Sequence, residues 1–213
     1  MKTRKRKAVA SKAVKKYVKK VLDDAREDKY IDLRQAIALD TAATDNVGSV
    51  VLLSGCSQGT TFATRIGEAI KAKSLEFRYD TAASDDTTDI VKFRVIVFQD
   101  RQIRTSTLPL VADVLEDVQY DSAINHVAVN AGRFKILHDN LHIMGPQITA
   151  GDKTLVYRRK KIKLNSKIVY SNSSTGTQKN NIFVLLLSNG TAASNNPMPP
   201  PFNMYSRVTF EDA

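Results

Sequence analysis

Catalytic chemistry has few places to come from in this chain. The histidines are His126, His138 and His142, the last two four positions apart. In a strand those two would share a face about 13 Å apart by rise alone, too far to clasp one metal unless a turn intervenes. Cys56 stands alone in a Gly/Ser-rich stretch. Nothing local supplies it with a base, and one cysteine forms no internal disulfide, zinc cluster or iron–sulfur site, so a small buried apolar group is expected there. Asp85, Asp86 and Asp89 offer hard oxygens that suit an inter-subunit calcium if another chain completes the set. The plainer reading is a solvated acidic loop, and the same holds for Glu211 and Asp212. There is no Gly-rich phosphate loop with a following Lys, no paired-His helix motif and no complete calcium-loop spacing. The chain is not expected to be an enzyme.

Polyanion chemistry is better supplied. Residues 1–20 hold ten cations, Lys2, Arg4, Lys5, Arg6, Lys7, Lys12, Lys15, Lys16, Lys19 and Lys20, and no acid. The other 193 residues hold 22 basic and 22 acidic side chains, so the formal +10 belongs to this arm. Such a run releases condensed counterions from nucleic acid. The competing reading is a solvated extension serving solubility or nuclear import, with Lys2, Arg4, Lys5, Arg6 and Lys7 as the candidate signal. A second run holds Arg158, Arg159, Lys160, Lys161 and Lys163. In a strand, Arg159, Lys161 and Lys163 point together, with Arg158 and Lys160 opposite. That patch either faces a polyanion or subunit, or is an ordinary charged edge that blocks aggregation. Tyr17 is the only ring in the arm, so contacts should fall mainly on phosphates, with weak sequence preference.

These groups need elements to position them. Over residues 9–29, Ala10, Val14, Tyr17, Val18, Val21, Leu22 and Ala25 form one helical stripe, with Lys12, Lys15, Lys16, Lys19 and Lys20 over much of the rest. The stripe wants a partner, either another copy or the body. It lacks the Trp and Phe anchors of a membrane-surface helix, and no apolar run is long enough to cross a bilayer. Residues 1–40 are read as basic arm and helix, and 41–213 as one domain large enough for its own core. Strand patterns fall at 47–53, 68–81, 90–98, 124–129, 133–138, 141–144, 153–164, 167–170, 181–187 and 205–210. Val91, Phe93, Val95 and Val97 share one face and Ile96 and Phe98 the other, so that strand is expected to be covered on both sides near its end. Pro109 opens a helix through Val118, carried by Leu110, Val111, Val114 and Leu115. Many short strands with one or two short helices in loops predict an antiparallel sandwich or barrel.

Several segments together resemble the small single-jelly-roll coat proteins of the satellite tobacco necrosis virus type, also used by circular single-stranded DNA viruses that encode a replication initiator. They are the basic helix at 11–29, VKFRVIVFQDR at 91–101, TSTLPLVADVLEDV at 105–118 and GRFKILHD at 132–139. IKLNSKIVYSNSSTG at 162–176, NNIFVLLLSN at 180–189 and YSRVTFEDA at 205–213 follow in order. The resemblance implies an eight-stranded antiparallel jelly roll with an N-terminal basic amphipathic helix. It also implies sixty copies in the smallest icosahedral shell, and arms turned inward onto a single-stranded genome. The later segments look more like the DNA-virus branch, for which the host nucleus and its import machinery would be partners. Satellite-type members hold calcium between subunits, but no ligand matches are carried onto this chain.

Two other classes are weighed against the shell protein. A cellular nucleic-acid-binding β-sandwich with a basic tail would show a basic, aromatic-bearing surface on its body, whereas this body is neutral overall. A jelly-roll enzyme or sugar-binding protein would need clustered histidines or acids.

Overall fold

Alternation of apolar and polar residues sets most of the strands seen in the computed structural model, which describes residues 13–18, 21, 27–38, 49–82, 90–102, 108–126, 132–145, 155–171, 177–189 and 201–213. Among them are nine strands: β1 (Lys29–Ala38), β2 (Ser49–Leu52), β3 (Ala69–Ala82), β4 (Val91–Asp100), β5 (Phe134–Met144), β6 (Leu155–Tyr170), β7 (Thr177–Lys179), β8 (Asn181–Ser188) and β9 (Pro201–Asp212). All ladders are antiparallel. One sheet runs β1-β9-β3-β6-β7 and the other β2-β8-β4-β5, so the chain passes repeatedly between two layers, as in a jelly roll.

The inner faces make the main core. In β3, buried Leu75, Phe77 and Tyr79 alternate with half-buried Glu76, Arg78 and Asp80. Opposite them lie Phe93, Val95 and Val97 of β4 and Ile182, Val184 and Leu186 of β8. β8 is buried along its length because its other face is also covered. Phe183, Leu185 and Leu187 join Ile96 and Phe98 in a second core beneath Val111, Val114 and Leu115 of the β4–β5 connection. The two-sided cover expected near the end of this strand is present from Val95 to Asp100.

Several boundaries differ from the sequence reading. Residues 29–38, grouped with the arm on sequence, form β1 and pair with β9 along their length. Ile31 is buried and Leu33 and Ile37 pack on the core, a period of two hidden behind a helical pattern that runs into it. β9 begins at Pro201 and not near residue 205. The predicted strands 133–138 and 141–144 are one strand from Phe134, with Arg133 in the preceding turn. Those at 153–164 and 167–170 are another, apart from 153 and 154, which lie outside the described residues. In β5 Asp139 and Asn140 pair regularly with Ile96 and Val95 across the first join, and the register shift opposite Val97/Phe98 falls at Leu137. In β6 the join is itself the second shift, opposite Ala72/Ser74. Asn165 takes the left-handed conformation (φ 47°) at the second shift, which a short polar side chain tolerates. The helix after Pro109 is only Val111–Val114. Leu115 is already extended and bridges Ile124, so the expected strand at 124–129 is a single bridge among its described residues.

Ion pairs fix the loops to this frame. Arg133 grips buried Asp100 with contacts of 2.9 to 3.2 Å and lies 3.6 Å from Asp113, tying the β4–β5 connection to both of its strands. At the other end, Asp212 pairs with Lys29 at 2.8 Å and accepts the Ile66 N–H at 2.9 Å, pinning the β2–β3 loop against β1 and β9. Arg65 is wholly buried there, donating to the Cys56 carbonyl and stacking 4.5 Å over the Tyr170 ring.

Candidate nucleic-acid interface

The two broad outer faces differ in their charge. Over the four-stranded sheet, residues 108–126 hold four acids and no Lys or Arg, with Glu116, Asp117 and Asp121 exposed. On the outer face of the five-stranded sheet, the ladders align Arg34, Arg78, Arg159, Lys161, Lys163 and Arg207 with Asp32, Glu76 and Asp80. Arg207 pairs with Asp32 at 2.7 Å, and both Arg78 and Arg159 pair with Glu76. Those guanidinium contacts hold the Asp32 and Glu76 carboxyls below their ordinary range. Arg34, Lys161 and Lys163 have no carboxylate within ion-pairing distance among the described residues. Lys71 and Lys73 meet Glu211 at 2.7 and 3.1 Å, and the Lys71 and Lys73 contacts lower that carboxyl too.

Of the residues expected to grip nucleic acid, Lys15 and Lys16 are described; both are exposed on a helical segment. Val14, Tyr17, Val18 and Val21 of its apolar stripe are also exposed. Lys2, Arg4, Lys5, Arg6, Lys7, Lys12, Lys19 and Lys20 lie outside the described residues, and with them the candidate import signal. Arg159, Lys161 and Lys163 are exposed on one face of β6, as period two requires, and Arg158 and Lys160 point to the other side. There they approach β5, where the Lys160 charge adds to burial in lowering the pKa of His138, and Arg158 does the same for His142.

The remaining candidates are structural where they are described. His138 and His142 stand opposite Val97 and Phe93 on one continuous strand, with no turn to bring them onto a metal. His142 Nε2 sits 2.7 Å from the Tyr79 hydroxyl and 3.0 Å from Asn140 Nδ2. Cys56 is buried in the core, and burial pushes its thiol pKa up, away from the thiolate a nucleophile needs. Glu211 and Asp212 are engaged by lysines, and Asp85, Asp86 and Asp89 lie outside the described residues. Among the described residues no three His, Cys, Asp or Glu side chains are placed to hold a metal. No helix there is long and apolar enough to cross a membrane.

Residues 1–197 match the family model described as satellite tobacco necrosis virus coat protein. The chain belongs to that family. A relative named as the coat protein of Maize white line mosaic Satellite virus is 26% identical over 206 residues, spanning 94% of this chain and 88% of its own. In solved structures, a chain of desmodium yellow mottle tymovirus is similar with a TM-score of 0.38 and 12% identity, covering 88% of this chain and 90% of that one. A chain of infectious bursal disease virus Gx strain gives 0.28 and 9%, covering 88% and 32%. By its family the protein is a viral coat protein. Its role is structural, its partners are identical subunits and its place is the virion.

Sequence reasoning missed Arg34, Tyr157, Asn203 and Tyr205 as surface groups of this sheet. Alternation placed each strand's faces, but which residues become neighbours depends on the pairing of β1, β9, β3 and β6.

Proposed function

We propose that the protein assembles as sixty copies into the smallest icosahedral shell and packages single-stranded nucleic acid through its N-terminal arm. The observation that carries this is the charge partition: ten cations in residues 1–20 joined to a coat-protein body of zero formal net charge. A neutral body lets copies approach without mutual repulsion, while the arms supply counter-charge to the strand. The fold supports an arm on the basic side of the body. Asp28, just before β1, pairs with Lys73 at 2.6 Å on the outer side of the five-stranded sheet.

Sixty arms bring about 600 positive charges, so a cargo on the order of 1,000 nucleotides is expected, up to about twice that with polyamines or divalent ions. Duplex DNA is stiff over about 500 Å, which favours a flexible single strand inside a shell about 200 Å across. We assign the cargo to circular single-stranded DNA on the likeness of segments 162–176, 180–189 and 205–213 to that branch. Nuclear import through Lys2, Arg4, Lys5, Arg6 and Lys7 belongs to the same reading. Electron microscopy of purified protein, then nuclease digestion of the extracted cargo, tests each part. Closed shells whose cargo resists RNase and yields to DNase and single-strand-specific nuclease are expected. Persistent monomers or dimers would overturn the sixty-copy shell, and RNase-sensitive cargo would overturn DNA alone.

A further inference from the structure

Strand register builds a feature on the five-stranded sheet that no single segment encodes. Arg34, Tyr205 and Arg78 lie side by side across β1, β9 and β3. One step along, Asn203 and Asp80 continue to Tyr157 of β6. Between these rows opens a cleft of about 750 Å³, within the range of about 300–1,000 Å³ usual for small-ligand sites.

Its lining has two parts. Arg34 and Arg78 put two guanidinium groups at one side, with Arg78 5.6 Å over the Tyr205 ring. Tyr157 is 53% exposed, an aromatic face that the core does not use. Beside it, Asn203 Nδ2 donates to Asp80 Oδ2 at 3.0 Å, placing an amide and a carboxylate at the rim. Cations next to an open ring suit a phosphate joined to a base. A duplex would not fit this chemistry, because its bases have no free face to stack. The approach of Asp28 to Lys73 puts the arm's exit on this same side.

We propose that the cleft holds one unpaired nucleotide of the packaged strand, its phosphate at Arg34 and Arg78 and its base on the Tyr157 ring. The site rests on the packaging reading above and sharpens it. The body adds a structured contact to nucleotides, beyond the arm's contact with charge alone.

The test uses the full chain with a fluorescent oligo-dC of about 12 nucleotides, an oligo-rC of equal length, and polyphosphate of similar charge as a probe without bases. At roughly 0.3 M salt, where the arm's contribution is weakened, Tyr157→Leu should reduce oligonucleotide affinity by about five- to tenfold, the low end for base–aromatic stacking. Tyr157→Phe should bind like the parent, and neither variant should change polyphosphate binding. Arg34→Gln should weaken all three probes. Unchanged oligonucleotide affinity in Tyr157→Leu overturns the site, as does an equal loss for polyphosphate, which would mark a general charge or folding effect. In both cases salt-dependent binding by the arm would still stand. Parent protein that binds none of the probes at low salt would remove the packaging reading and the cleft together.

Discussion

Acid should loosen this coat protein through two imidazoles, half-buried His138 and chiefly buried His142, before its carboxylates are protonated. His142 is 6% exposed, its ring stacked 4.8 Å from that of Phe93. Its Nε2 faces the Tyr79 hydroxyl and the Asn140 amide, and the amide nitrogen can only donate, so Nε2 accepts and the imidazole is neutral. Burial, then the charges of Arg158 and of His138, lower its pKa from 6.5 to about 4. Above pH 6.5 the ring is neutral in both the folded and the unfolded chain, and the stability is fully present. As pH falls from 6.5 to about 4 the unfolded chain takes up the proton first, so stability is lost across that window. At 1.36 kcal/mol per pH unit, the drop is about 3 kcal/mol at most, or roughly 6–12 °C in unfolding midpoint for a chain of this size. Thermal unfolding of the full chain at pH 7.5, 6, 5 and 4 should show it, and His142→Gln should flatten the curve between pH 6.5 and 4.5. Asp32, Glu76 and Glu211, whose pKa values are held down, act only as pH drops through and below the ordinary carboxylate range. If His142→Gln lost stability as steeply as the parent above pH 5, the assignment to this ring would be refuted.

Four further outcomes are expected. Arg133→Met leaves Asp100 buried without its partner and should lower stability by about 3–5 kcal/mol, whereas Asp100→Asn, which removes the charge, should cost less; denaturant titration distinguishes them. Replacing Lys12, Lys15, Lys16, Lys19 and Lys20 with Gln should flatten the log–log salt dependence of single-strand binding by up to about 3.5, and an unchanged slope would place the grip elsewhere. Deleting residues 1–20 should keep the β-rich circular dichroism and some association while cutting nucleic-acid content. Deleting 1–38 removes β1, strips β9 of an edge partner, and should give insoluble protein.

Legibility in the sequence followed burial. β3 and β4 alternate against one core, and β8 is a continuous apolar run because both its faces are covered, so composition marked all three. β1 was hidden because KYIDLRQAIA is compatible with helix and follows a helical stripe. Only ladder bonds to β9 fix it as strand. The 109–118 pattern picked out Val111, Val114, Leu115 and Val118, which pack in the second core, but also Leu110, which is exposed. It gave the wrong length because Leu115 seals that core while extended. On the site, period two correctly grouped Arg159, Lys161 and Lys163. It gave no access to the cleft, whose parts lie as far apart in sequence as Arg34 and Tyr205.

The body's zero formal charge is therefore a sum over unlike faces, and that changes what neutrality means for assembly. The cover over the four-stranded sheet is acidic, while the opposite sheet has cations beyond those its own acids pair. A uniformly neutral body would meet a polyanion indifferently on either side. This one has an acid-rich cover on one side, with Lys92 and Arg94 set against it, and surplus cations on the other, where Asp28 precedes β1. Charges more than about 8–10 Å apart are largely screened at physiological salt, so each face responds to its own neighbours and not to the molecular total. Under the packaging proposed above, a strand held by the arms would lie beside Arg34, Lys161 and Lys163, so the face each subunit turns to its cargo would follow from local charge.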